Sequence, residues 1–152
     1  MAQAGAVCYG PVMIVSRRAA VTIVSAIAAC GLLGWLQRAT NVAPKGALVA
    51  VLYPPYGNEA AMAWRVQHML PLDMTALRRF PADDPTDEND RRSPVMIYEE
   101  GRPLGPAHSN FADISKLGHG RFAHWTDQGL IFSTSDGTDP NRNGRRYWAV
   151  VP

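Results

Sequence analysis

The sequence predicts a mainly β protein, a small antiparallel sheet or sandwich over residues 47–152 behind one N-terminal transmembrane helix. Three observations predict it. Residues 19–36, "AAVTIVSAIAACGLLGWL", run without a charge. After Pro94, four short runs of β-branched and aromatic residues alternate with turn chemistry. Length sets the third bound, because 152 residues suffice for one domain and its flanks.

Taken in order, residues 1–18 read as a cytoplasmic N-terminus and 19–36 as an uncleaved signal anchor. As a helix the run would extend about 27 Å at 1.5 Å per residue, close to a hydrocarbon core of roughly 30 Å. It is apolar on every side, whereas a core helix shows a polar face to water. It also outlasts a signal-peptide core of about 7–15 residues. Arg17 and Arg18 precede it and favour a cytoplasmic N-terminus with the domain outside. Two other export readings compete. Ile27-Ala28-Ala29-Cys30 has the form of a lipidation site, and Ser16-Arg17-Arg18 makes a weak twin-arginine start.

Residues 37–46 form a linker. "ALVAVLY" then reads as a strand stopped by Pro54-Pro55, and "AMAWRVQHML" leans to a strand because Met62, Trp64 and Val66 alternate. The acidic segment 81–94, "PADDPTDENDRRSP", has Ala82 as its one hydrophobic residue and reads as a solvated loop or hinge. The runs "VMIYEE", "GRFAHW", "LIFSTS" and "RRYWAVV" supply the remaining strands.

Charge narrows the partners. All 13 acidic residues lie at Glu59 or later, while the first 58 residues carry only Arg17, Arg18, Arg38 and Lys45. From Ala39 on, 12 basic residues (15 less Arg17, Arg18 and Arg38) face those 13 acids, so no basic surface for nucleic acid is expected. Cys8 and Cys30 both precede the domain, which therefore holds neither a disulfide nor a thiolate zinc site.

The chemistry-bearing motifs are few. Asp139-x-Asn141-x-Asn143-Gly144 supplies the first half of an EF-hand calcium loop, with Asp136 as a further oxygen donor. The position that should hold the bidentate glutamate is Val150, so the stretch reads as a turn and only weakly as a calcium site. His108, His119 and His124 with Asp113 lack a metal-binding spacing, and Glu99, Glu100, Asp113 and Asp127 offer no singled-out acid and base. Ser133 and Ser135 sit in no nucleophile elbow, and there is no phosphate loop or dinucleotide fingerprint. No catalytic residue, no resident metal and no cofactor are expected, which makes the chain non-enzymatic. What remains is a set of aromatics beside polar groups: Arg121, His124, Trp125, Arg145 and Trp148. Aromatic platforms flanked by hydrogen-bonding groups suit sugars, which present apolar C–H faces and hydroxyl rims.

Tyr98-Glu99, Gly101, Pro103-Leu104, His108, Asp113-Ile114, Gly120-Arg121-Phe122 and His124-Trp125 form a distinctive series. It continues through Ser133, Asp136, Asp139-Pro140 and Asn143-Gly144-Arg145. Over residues 94–152 this series resembles an uncharacterised bacterial domain of membrane-anchored or surface-polysaccharide-associated proteins. That domain stands alone behind an anchor or is fused to glycosyltransferases and methyltransferases. The resemblance implies a single-pass protein of the bacterial inner membrane whose domain faces the periplasm. It implies a role with envelope polysaccharide, as a glycan binder or a scaffold for its biosynthetic proteins. The alternatives are a protein-interaction subunit of a membrane complex and, behind it, a metal-dependent hydrolase.

Overall fold

The computed structural model describes residues 43–152. The expected span 19–36, its flanks and Cys30 lie outside the described residues. Among the described residues no helix is long and apolar enough to cross a membrane.

Among the described residues eight strands and two short helices follow one another. They are β1 (Leu48–Leu52), β2 (Gly57–Ala60), β3 (Ala63–Arg65), α1 (Pro71–Leu77), β4 (Met96–Glu99), β5 (Arg102–Pro103), α2 (Phe111–Lys116), β6 (Phe122–Trp125), β7 (Gly129–Phe132) and β8 (Tyr147–Val151). Two antiparallel four-stranded sheets result, one in the order β1-β8-β4-β5 and the other β2-β3-β7-β6. The mainly β expectation is met, and every run expected to be a strand contributes one.

Alternation builds the core. From β1, Ala50 and Leu52 point inward; from β4, Ile97; from β8, Tyr147, Ala149 and Val151. Phe122, Leu130 and Phe132 of the second sheet meet them. Tyr56 closes the centre, with its ring 5.4 Å from Phe132 and 5.7 Å from Tyr147 in edge-on geometry. The opposite face of the second sheet carries Ala63, Ala123, Trp125 and Ile131, which pack with Ile114 of α2. The sheet is thus apolar on both faces. Gly46 leads into β1 against the end of β8: a Cβ there would lie 2.4 Å from the Val151 carbonyl oxygen.

Both helices were missed by the strand-dominated reading. α1 opens on a proline at its first position and is only 7 residues long, too short for hydrophobic periodicity to show. α2 has a readable start, since the Asn110 side chain accepts a 2.8 Å bond from the Asp113 N–H. The acidic segment needs correction too. Its middle is solvated, but its ends are fixed. The Asp83 N–H donates to the His124 carbonyl and the Thr126 N–H to the Asp83 carbonyl, both at 2.9 Å. Asp83 and Ser93 are buried. The loop is stitched along β6, which rules out a free hinge.

Candidate functional site

The turn joining β6 to β7 spans Thr126, Asp127 and Gln128, since Trp125 pairs with Gly129 across it. Asp127 takes φ +61° and Gly129 φ +72°, a left-handed pair of the kind that aspartate and glycine tolerate. Facing this turn is the C-terminal end of α1. Between them lie two adjoining cavities of about 220 and 540 Å³ that share Arg78, His124, Asp127 and Gly129. The smaller is floored by Val66, Met69, Leu77 and Leu130, and the larger by Phe80 and Ala82. Together they make a groove of mixed character, lined by Arg78, Asp127, Gln67, Gln128 and His124 beside the apolar side chains. Arg78 and Asp127 form no ion pair among the described residues.

His124 lies at the centre and is held from behind. Its Nδ1 is 2.9 Å from Ser93 Oγ. Asp83 sits one layer deeper: its Oδ1 accepts the Ser93 N–H at 2.8 Å and its Oδ2 lies 2.7 Å from His108 Nδ1. Among the described residues Nε2 of His124 has no hydrogen-bond partner, and no buried side-chain nitrogen or oxygen is left unpaired, so Nε2 opens to the groove. Burial holds the His124 imidazole below its usual pKa, against the opposing pull of the Asp83 carboxylate.

The sign of the linkage follows. A histidine depressed in the folded state resists protonation that the unfolded chain accepts, so its contribution to stability is present above about pH 6.5. It is lost as pH falls through that value toward the depressed one. The unfolding midpoint in urea is expected to drop between pH 7.5 and 5.5, and the drop should shrink in His124→Gln. An equal drop in the variant would place the proton uptake elsewhere.

The five residues expected to bind ligand do not converge. His124 and Trp125 are neighbours on β6 but face opposite sides of the sheet. Arg121 precedes β6 and bonds the Gly118 carbonyl at 3.1 Å. Arg145 lies before β8, bonded to Glu99 at 3.1 Å and paired with Asp136. Trp148 faces outward on β8 between Val51 and Tyr98, with the Arg146 guanidinium 5.6 Å from its ring centroid. Trp125 is 7% and Trp148 4% exposed, so neither is the open stacking platform expected, although Trp125 borders the larger cavity together with His124. A one-sided sheet was assumed, whereas both sheets bury residues on both faces.

The half calcium loop has other work. Asn141 Oδ1 accepts the Tyr56 N–H at 2.7 Å, and its Nδ2 donates to the Tyr56 carbonyl at 3.1 Å. Asn143 Nδ2 donates to Tyr147 Oη at 2.8 Å, and its Oδ1 accepts the Arg145 N–H. Asp139 Oδ1 accepts the Asn141 N–H, while Asp136 binds Thr138 and Arg145. These oxygens point into the turn and not at a common centre. Among the described residues no three His, Cys, Asp or Glu side chains gather as a metal site. Glu99 accepts from Tyr147 Oη, Glu100 from the Arg146 N–H, and Asp113 lies in the first turn of α2, its N–H donating to the Asn110 cap, so these carboxylates stand at separate places.

Sequence reasoning singled out His124 but missed the groove around it. Arg78 and Phe80 belong to a segment without a recognisable motif, and nothing local to Asp83 shows that it lies behind a histidine 41 positions away. No family model, no curated protein and no solved structure matches the chain.

Proposed function

We propose that the protein is a membrane-anchored, non-enzymatic module of the periplasmic face of the inner membrane. In this reading it takes a segment of envelope polysaccharide into the groove at the β6–β7 turn. The groove carries the reading, because the half-buried Phe80 lies beside Arg78, Asp127 and His124, and among the described residues Arg78 and Asp127 form no ion pair and His124 Nε2 has no hydrogen-bond partner. A pyranose needs that combination, with hydroxyls bonded at the rim and a C–H face resting on apolar side chains. Support for a non-catalytic role comes from the order of the polar chain behind the groove. A serine nucleophile needs one histidine between itself and a carboxylate, but Ser93 contacts His124 while Asp83 contacts His108. Export and the polysaccharide context rest on the uncharged run and the resemblance of residues 94–152.

Full-length protein in detergent is expected to bind polysaccharide fragments released from the cell envelope, measured by calorimetry. Arg78→Ala and Asp127→Ala should each weaken binding about tenfold or more. Loss of a hydrogen bond to a charged group costs about 1.5–3 kcal/mol, and 1.4 kcal/mol is one decade. Equal binding by both variants, or no binding by the wild type, sinks the glycan reading. A protein partner then takes its place, for which one observation speaks. Leu70 is 52% and Leu72 84% exposed, and with Met74 they extend the apolar surface from the groove onto α1.

A further inference from the structure

His124 is fixed before any sugar arrives. Its residue pairs with Leu130 of β7 on one side, and its carbonyl accepts the Asp83 N–H on the other. The imidazole is buried and makes one side-chain hydrogen bond among the described residues, to Ser93.

Ser93 is fixed in turn. Its N–H donates to Asp83 Oδ1 at 2.8 Å, and its Oγ accepts the Val95 N–H at 3.3 Å. A serine hydroxyl has one proton to give and two lone pairs to fill. The Val95 N–H can only donate, so it occupies a lone pair of Oγ and leaves the hydroxyl proton free. Among the described residues the one acceptor bonded to that hydroxyl is His124 Nδ1, at 2.9 Å. In the converse arrangement Nδ1–H would be a second donor to Oγ. The serine proton would then have no acceptor, in a residue only 6% exposed. The bond therefore runs from Ser93 to His124.

A neutral imidazole that accepts at Nδ1 carries its proton on Nε2, because the partner of one ring nitrogen decides the state of the other. Burial favours that neutral form. The groove is thus offered Nε2–H, a donor, alongside the guanidinium of Arg78.

We propose that Ser93 is a positioning residue that holds His124 as a hydrogen-bond donor, and that the sugar in the groove meets Nε2–H with an acceptor oxygen. The sugar comes from the glycan reading above; the direction of the proton comes from the bonds of Ser93 alone. Ring, glycosidic, acetamido and carboxylate oxygens all fit such a donor. The ammonium of an amino sugar does not, since it has only protons to offer.

The test is nuclear magnetic resonance on the full chain in detergent, with isotopic nitrogen in its four histidines. The His124 signals are assigned by their loss in His124→Gln. Bare and protonated ring nitrogens resonate far apart. At pH 7.5 the wild type is expected to show a bare Nδ1 and a protonated Nε2. Adding the envelope polysaccharide fragments should shift the Nε2–H proton and leave Nδ1 bare. Ser93→Ala should let His124 take up its second proton at a higher pH, because protonation then breaks no bond to Nδ1. The other charged or titratable groups near the ring, Asp83 with its His108 and Arg78 and Asp127 of the groove, are the same in both proteins. The same variant should weaken fragment binding by about twofold to tenfold, the worth of one neutral hydrogen bond. Ser93→Thr keeps the hydroxyl and should restore both properties. A protonated Nδ1 in the wild type overturns the proposal, and so do fragments that bind without moving Nε2–H. These wild-type spectra decide the matter even where a variant fails to fold. A protonated Nε2 in a protein that binds no fragment supports the donor assignment and sinks the glycan reading alone.

Discussion

Asp83→Ala is expected to lower the free energy of unfolding by about 2–4 kcal/mol, at about 1–3 kcal/mol for each of two donors that lose their acceptor, discounted for relaxation. The carboxylate is 2% exposed and serves two donors, the Ser93 N–H at 2.8 Å and His108 Nδ1 at 2.7 Å. Alanine leaves both donors without that acceptor, beside a small cavity of about 20 Å³ that Asp83 and His108 line. The effect should spread, because Ser93 also positions His124, and the peptide of Asp83 is stitched to β6 on both sides. Urea unfolding followed by tryptophan fluorescence measures the loss. Asp83→Asn keeps one acceptor and should fall between wild type and alanine. A loss below about 1 kcal/mol for Asp83→Ala would show that the ends of the acidic loop do not hold the β6 edge.

The second large effect is expected at Asn141. Its side chain acts as a short strand, accepting from and donating to the same peptide position, Tyr56, across 85 residues of chain. Tyr56 is buried at the meeting of the two sheets, so Asn141→Ala orphans a backbone donor and a backbone acceptor together. At about 1–3 kcal/mol for each unsatisfied buried group, discounted for relaxation, the loss should be about 2–4 kcal/mol. Asn141→Asp keeps the acceptor and loses the donor, and should cost roughly half as much. If the loop is a hydrogen-bonded turn, the loss should be the same in calcium and in chelator. A wild-type melting temperature that rises with calcium, and a variant that does not respond, would restore the ion-binding reading.

Strands were legible from runs of β-branched and aromatic residues. In β8, Tyr147, Ala149 and Val151 face the core, and Trp148 and Val150 are buried on the other side, so the strand reads as one continuous apolar run. β2, Gly57–Ala60, was not legible because its pairing with β3 is a matter of backbone alone and its side chains bury little. α2 left one signal, Asn110 three residues before Asp113, but its 6 residues are outweighed by the strands around it. At the site, His124 was legible as a polar residue on an apolar strand. Arg78 was not, since its position on the rim depends on how α1 packs beside the β6–β7 turn. The tryptophans misled for the same reason. Which side of a sheet is wet is decided by what packs on it, and the pattern of one strand does not record that.

The strand order carries a consequence for the acidic loop. A cut between Asp87 and Asp90 would divide the protein into a piece with β1, β2, β3 and α1 and a piece with β4 through β8. Neither piece owns a whole sheet: β1 lies beside β8, and β3 beside β7. The halves are interleaved like the teeth of two combs, so a nicked molecule would stay assembled and melt as one unit. The most charged and least hydrophobic stretch of the chain, which looks like a place where one body ends and another begins, runs across the middle of a single one.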